Sequence, residues 1–137
     1  MSNVRETIAE ALNTDAILRA LGLPLNAVYQ ADTMDSPTVF PFIVLRWTDT
    51  LLGIADITRR PFEIWCYGGE GDITGAEDIG HRALSVVNAI SGQAVDNGII
   101  LAVEIRGNAL GRGRDMFDDG FNSLVIPFRA LAVARGV

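Results

Sequence analysis

Apolar residues recur at helical spacing in two long stretches and at strand spacing in several short ones. Val4, Ile8, Ala11 and Leu12 fall on one side of an opening helix, with Arg5, Glu6 and Glu10 on the other. Thr14 or Asp15 can cap a second short helix through Ile17, Leu18 and Leu21, which Gly22 and Pro24 end. Ala27–Ala31 reads as a short strand and Asp32–Pro41 as a loop, with Ser36-Pro37 and Phe40-Pro41 inside it. Phe42–Trp47 is a continuous apolar run of β-type residues, the pattern of a strand buried on both faces. Pro61–Tyr67 alternates, placing Phe62, Ile64 and Cys66 on one face and Glu63, Trp65 and Tyr67 on the other.

After the Gly68-Gly69-Glu70-Gly71 break comes the strongest helical pattern, about Ile73 to Ile90. Its apolar stripe is Ile73, Ala76, Ala83, Leu84, Val87 and Ile90, and Thr74 with Glu77 fits a capping box. Ser91-Gly92 closes it, and two further strands follow at Ile99–Arg106 and Leu124–Val133, joined by a connection rich in Gly and Asp. Pro127 lacks a ladder donor, which predicts an edge position or a bulge for the last strand. The order of elements predicts an α+β fold: a single domain over residues 1–137, with a mixed, mostly antiparallel β-sheet and helices packed on one face.

Composition narrows the chemistry. At 137 residues and 49% hydrophobic content the chain can bury a real core. Its apolar runs are of strand length, too short to cross a membrane, and the N-terminus lacks a signal-type hydrophobic segment. A lone Cys66 and a lone His81 cannot build a Cys or multi-His metal site within one chain. The net charge of −6 argues against wrapping nucleic acid, which needs clustered cations. All eleven basic residues are arginine, so lysine chemistry is absent.

The remaining candidates favour plain structural roles. Gly68–Gly71 matches neither GxGxxG nor a Walker pattern, and Glu70 and Asp72 would repel a phosphate; a turn with Asp72 or Thr74 as helix cap is the better reading. His81 lies on the helical wheel with Asp78, Arg82, Ser85 and Asn88, as a solvated residue, and Cys66 belongs with the core residues Phe62 and Ile64. Asp115, Asp118 and Asp119 lack EF-hand spacing and read as a turn, with Arg112 and Arg114 available to pair with them. No catalytic pair, metal site or cofactor motif is expected.

Two features point to surfaces. The connection between the second and third strands is long and carries Leu51, Leu52, Ile54 and Ile57 with few charges, so it either folds onto its own core or meets another protein. The sheet face opposite the helices carries Glu63, Glu104, Arg106 and Arg129, with Arg46 beside them. That pattern suits a solvated face, a polar subunit interface or a wet lumen.

Three segments within Phe42–Arg129 carry a family resemblance. They are "FPFIVLRW" before the long hairpin, "RPFEIWCYGGEGDITGAEDIGHRALSVV" with its GD-x-T turn into the helix, and "VEIRGNALGRGRDMFDDGFNSLVIPFRA". The last resembles the signature E-W-x-G-x-S-x-D-L-x-D-D-G-Y of siphophage tail-terminator proteins, especially of phages infecting high-GC bacteria. The chain departs from it at Ile105, where an aromatic is common, at Phe121 in place of tyrosine, and in an extra Gly111-Arg112-Gly113.

The resemblance implies a virion structural protein, assembled in the host cytoplasm and sited at the head-proximal end of the tail. Such proteins form a hexameric ring on the tail tube, stop its polymerisation and present a surface to the head-completion or connector protein. It implies no enzyme activity and no membrane partner, with DNA only passing through the pore, where acidic walls repel it. Leu51, Leu52, Ile54 and Ile57 would meet a neighbouring subunit or the tube. Arg112, Arg114, Asp115, Asp118, Asp119 and Phe121 would form the partner-facing loop. A head-side neck connector is the nearest rival, and a small-ligand module with a pocket near Gly68–Asp72 a more distant one.

Overall fold

The computed structural model describes residues 3–32, 37, 39–48, 52–54, 56–69, 71–107 and 111–136. Two long antiparallel strands form its spine, β4 (Ile57–Gly69) and β8 (Ser123–Arg135), paired from Ile57↔Arg135 to Gly69↔Leu124. On the β4 flank lie β2 (Phe42–Trp47) and then β1 (Val28–Gln30), the latter parallel to β2. On the β8 flank lie β6 (Gly98–Ile105) and β5 (Gln93–Val95), and the short strands β3 (Leu52–Ile54) and β7 (Met116–Asp118) pair with β4 and β8. Among the described residues this makes one eight-stranded mixed sheet of order β1-β2-β4-β8-β6-β5. The expected α+β class, mostly antiparallel, is what the chain adopts.

Three helices cover one face: α1 (Val4–Asn13), α2 (Ala16–Ala20) and α3 (Ile73–Asn88). Each begins at an Asn or Asp whose short side chain satisfies a free amide of the first turn. Asn3 caps α1 and forms a reciprocal box with Glu6, while Asp15 accepts from the Leu18 amide at 3.0 Å. Asp72 accepts from the Gly75 amide at 2.9 Å. The capping box expected from Thr74 and Glu77 is therefore not used: Asp72 is the cap, and Glu77 bonds Arg112 instead. Asp15 also receives both Arg82 nitrogens, at 3.0 and 2.8 Å, which ties α2 to α3 and holds its carboxyl below the usual range against the opposing effect of burial.

Alternation decides what the helices meet. Phe62, Ile64 and Cys66 on β4, Ile126 and Phe128 on β8, and Ile43 and Leu45 on β2 share the helix-facing side and are buried. α3 lies across β4, β8 and β6, with Ala76, Ile79, Gly80, Ala83, Leu84 and Val87 turned inward. The expected stripe stands, but Gly80 belongs to it for a reason that hydrophobicity does not carry. A Cβ at Gly80 would lie 1.9 Å from the Phe128 ring, so the missing side chain is what lets helix and sheet approach.

The last strand departs from expectation. β8 is central, not an edge, and the bulges beside it fall on its neighbours, at Gly68 of β4 and Leu101 of β6. Pro127 is tolerated because the ladder on one side of β8 is interrupted: β6 pairs only as far as Ala130, and β7 only over Ser123–Val125. The Pro127 carbonyl faces that gap and accepts from the Gly113 amide at 2.7 Å, so the absent N–H points where no strand needs it.

Gly80→Ala tests the close approach. Helix propensity alone would favour alanine by about 1 kcal/mol, whereas forcing a methyl into a packed ring contact costs about 1–3 kcal/mol. The net cost, up to about 2 kcal/mol, gives an expected fall in Tm of up to roughly 8 °C in thermal denaturation followed by circular dichroism. A rise in Tm would refute the contact.

Candidate interaction surfaces

The apolar connection is not a free arm. β4 begins at Ile57 and pairs with β8 along its whole length, so the expected long loop is largely sheet. Its turn is short, since Ile54 pairs with Ile57, and β3 lies on the flank of β4 that β2 occupies further along. Leu52 stands opposite Arg59 in this ladder, Ile57 is half-buried, and Leu51 lies outside the described residues. Ile54 is 86% exposed. An apolar side chain so placed on an edge strand offers a contact for another chain.

The segment from Gly111 to Phe121 is irregular but held at defined points. Gly111 (φ +85°) sits where a Cβ would meet Ile105, the Arg129 carbonyl and Leu84, so a glycine is required there. Arg112 reaches Glu77 of α3 at 2.8 Å and also Asp115, which fastens the segment to the helix and bears out the pairing expected for it. Arg114 and Asp119 are exposed, and among the described residues neither side chain has an ion pair. Asp118 accepts from the Gly120 amide at 2.9 Å, making the expected turn. Phe121 packs inward, its ring centroid 5.4 Å from that of Phe42 and 5.2 Å from that of Tyr67.

One residue here escaped the sequence reading. Phe117 on β7 is 51% exposed between Asp115 and Asp118, an aromatic displayed beside carboxylates. Strand alternation over three residues is too short a signal to separate it from the inward Phe121.

On the helix-free face, Arg46, Glu63 and Arg129 stand abreast on β2, β4 and β8. Arg129 approaches Glu63 at 3.6 Å, while the Arg46 guanidinium lies 4.3 Å from the Trp65 ring centroid. Beside them Tyr67 donates to Asp118 at 3.0 Å and accepts from Arg46 at 3.4 Å, joining the sheet to the irregular segment. A groove of about 290 Å³ lies between Arg106, Arg129 and Glu63, lined also by Pro61 and Ala130.

The other candidates resolve into packing. Cys66 is buried among apolar neighbours, which pushes its thiol far up and makes thiolate chemistry unfavourable. His81 is not simply solvated as expected: it is half-buried, with its ring edge against Phe128 at 5.3 Å. The helix there lies close enough to the sheet, through Gly80, for the imidazole to touch a core ring. The strand-to-helix turn is filled, since a Cβ at Gly68 would meet the Asp72 carbonyl at 2.4 Å and Ala76 at 2.9 Å. The ligand pocket that the rival binding-module reading would place near Gly68–Asp72 thus has no room at Gly68; a groove of about 540 Å³ lies elsewhere, between the start of α1 and Ala132, Ala134 and Asn97. Among the described residues, no group of three His, Cys, Asp or Glu side chains could hold a metal ion. No described helix is long and apolar enough to cross a membrane.

No protein-family model matches the chain, and no curated protein matches it. Solved structures share its fold. A chain in the virion of a native gene transfer agent particle aligns with a TM-score of 0.76 and 15% identity, covering 98% of this chain and 96% of that one. A second solved chain aligns with a TM-score of 0.58, also at 15% identity, covering 95% and 93%. At such identity these matches establish a common α+β architecture over essentially the whole length.

The Tyr67 contact yields a pH test. Burial first, and then the Asp118 carboxylate, disfavour the phenolate, and the Arg46 contact only partly opposes them, so the Tyr67 pKa is raised. For an acid with a raised folded pKa, the stabilisation is complete below the ordinary tyrosine value and is lost as pH climbs through the raised one. In Tyr29→Phe, which leaves Tyr67 as the only tyrosine, the phenolate absorbance at 295 nm is expected to appear clearly above about pH 10. Adding Asp118→Asn should bring the midpoint down; titration at the ordinary value in both proteins would contradict the geometry.

Proposed function

We propose that this chain is a virion structural protein, and specifically a tail terminator: a ring subunit, six to a ring, that caps the tail tube, halts its growth and offers a surface to the head-completion protein. One observation carries the reading: an end-to-end fold correspondence with a chain of a gene transfer agent virion. The tail-terminator motifs within Phe42–Arg129 refine it from virion component to terminator. The function is one of shape and contact, without catalysis, in the head-proximal tail of a virion or tail-like particle.

In this reading Leu51, Leu52, Ile54 and Ile57 meet a neighbouring subunit or the tube, with Ile54 presented on an edge strand. Arg114, Asp115 and Asp119 reach the partner from the irregular segment, while Arg112, Asp118 and Phe121 hold that segment in shape from behind. DNA passes through the pore without specific contact. A neck connector on the head side draws on the same observation, because the matched chain is one component of a virion and the match does not say where in the particle it sits.

Native mass spectrometry over a wide concentration series tests the ring. A hexamer, present throughout or growing in with concentration, is the expected result. A dimer at every concentration would overturn it, because a closed twofold pair uses up the surface a ring requires. Added to polymerising tail-tube protein, the chain should cap tubes at one end and shorten them in electron micrographs; unaltered tube lengths would favour the connector instead.

A further inference from the structure

The two faces of this protein carry opposite charge. Segments 3–32 and 71–90, which hold the three helices and β1, carry seven carboxylates against three arginines, with Arg112 reaching Glu77 from outside them. Those arginines are already engaged: Arg5 with Asp32 at 2.7 Å, Arg82 with Asp15 at 2.8 Å, and Arg19 with the Leu23 carbonyl at 3.2 Å. Glu10 on α1 and Asp78 on α3 remain exposed, so the outer surface of the helix layer is acidic. The helix-free face is the reverse. Strand alternation and register place Arg46, Arg59, Arg129 and Arg135 there, and Arg106, whose amide bonds the Arg129 carbonyl, joins them at the end of β6. Among the described residues Glu63 and Glu104 on β4 and β6 and Asp118 on β7, which Tyr67 engages, oppose them, with Asp56 at the hairpin turn. The ion pairs on this face are loose, at 3.6 Å for Arg129–Glu63 and 3.9 Å for Arg135–Asp56, and both arginines are more than half exposed.

We infer that the arginine-bearing sheet face, centred on Arg106 and Arg129, docks against the acidic helix layer of a second copy of this chain. The contact joins unlike surfaces, so it is head-to-tail: each subunit uses both faces once, and repetition continues past a pair, into a ring where the rotation between copies closes and into a filament where it does not. Complementary potentials of this kind fix orientation, and they penalise the wrong pairing of sheet face on sheet face. The groove of about 290 Å³ lined by Arg106, Arg129, Pro61 and Ala130 gives carboxylate side chains from the neighbour a place to enter. This inference rests on the ring reading and adds which surfaces make the ring.

The test is a charge-swapped pair. Arg106→Glu/Arg129→Glu makes the sheet face acidic like the helix layer, and Glu10→Arg/Asp78→Arg makes the helix layer basic like the sheet face. All four positions are exposed, and circular dichroism verifies that each variant is folded. Each variant alone should need on the order of a hundredfold more protein than wild type to form the ring. An equimolar mixture should restore it, as hexamers holding three subunits of each kind in native mass spectra, since every junction then joins opposite charges. Wild-type assembly should also weaken as salt is raised. Hexamers from either variant alone at wild-type concentration would refute the charge contact and leave the ring standing. Failure of the mixture to assemble would refute it too. A wild type that never exceeds a dimer would remove the ring itself. If the sheet-face variant instead assembles normally but loses low-salt retention of a short DNA duplex that wild type shows, the face belongs to nucleic acid and the inference falls.

Discussion

The pairing of β4 with β8 is the constraint on which the rest of the structure depends. Because side chains alternate along each strand, this register puts Phe62, Ile64, Cys66, Ile126 and Phe128 on one side together. A slip of one residue would turn either Glu63 and Trp65 on β4 or Arg129 on β8 toward the helices and break the surface on which α3 packs. The same register sets Phe128 beneath Gly80, and that contact fixes how near the helix layer lies. β2 and β1 then extend the sheet from β4, and β6 and β5 from β8. Each outer strand inherits its facing from the central pair.

Much of this was legible in the chain, because the strongest elements obey a simple period. The α1 and α3 stripes, the Phe42–Trp47 run and the alternation in Pro61–Tyr67 all correspond to elements of the expected kind. What escaped was decided by contacts distant in sequence. Nothing local says that Ile57–Arg60 is strand; those residues are extended because β8 supplies partners as far as Arg135. The hairpin of β5 and β6 did leave a local mark in Asn97-Gly98, with Asn97 in the left-handed region (φ 63°), but a three-residue strand carries too little pattern beside it. Pro127 misled for an instructive reason. A proline forbids one donor, not a central position, and here that donor faces a break in the ladder.

That break also explains how the candidate surface near residues 111–121 can exist inside an otherwise continuous sheet. β6 leaves β8 after Ala130 and β7 joins only at Val125, so the chain between must find other partners. It finds them in Arg112 to Glu77, Gly113 to Pro127, and Asp118 to Tyr67. Three anchors on different elements give an irregular segment a defined shape, and a defined shape lowers the entropic cost at which exposed groups such as Arg114, Phe117 and Asp119 would meet any partner. Of the residues the sequence singled out in this stretch, Arg112, Asp118 and Phe121 build the platform. The sequence could mark the segment as unusual, but could not divide it into inward and outward residues, because no period runs through it.

Charge shows the same gap between a total and an arrangement. A net charge of −6 describes an acidic protein, yet no single surface has that average character. In the helix layer, arginines serve as internal ties, each committed to a carboxylate or a backbone carbonyl, and the surplus acids face outward. On the helix-free face, arginines outnumber acids and their pairings are long. Guanidinium groups suit both tasks, because a planar donor can close a two-bond pair, as Arg82 does with Asp15, or lie over an aromatic ring, as Arg46 does on Trp65. A chain whose cations are all arginine can therefore spend some of them on internal order and leave others exposed. That division, and not the overall sign, determines what each face of the molecule can meet.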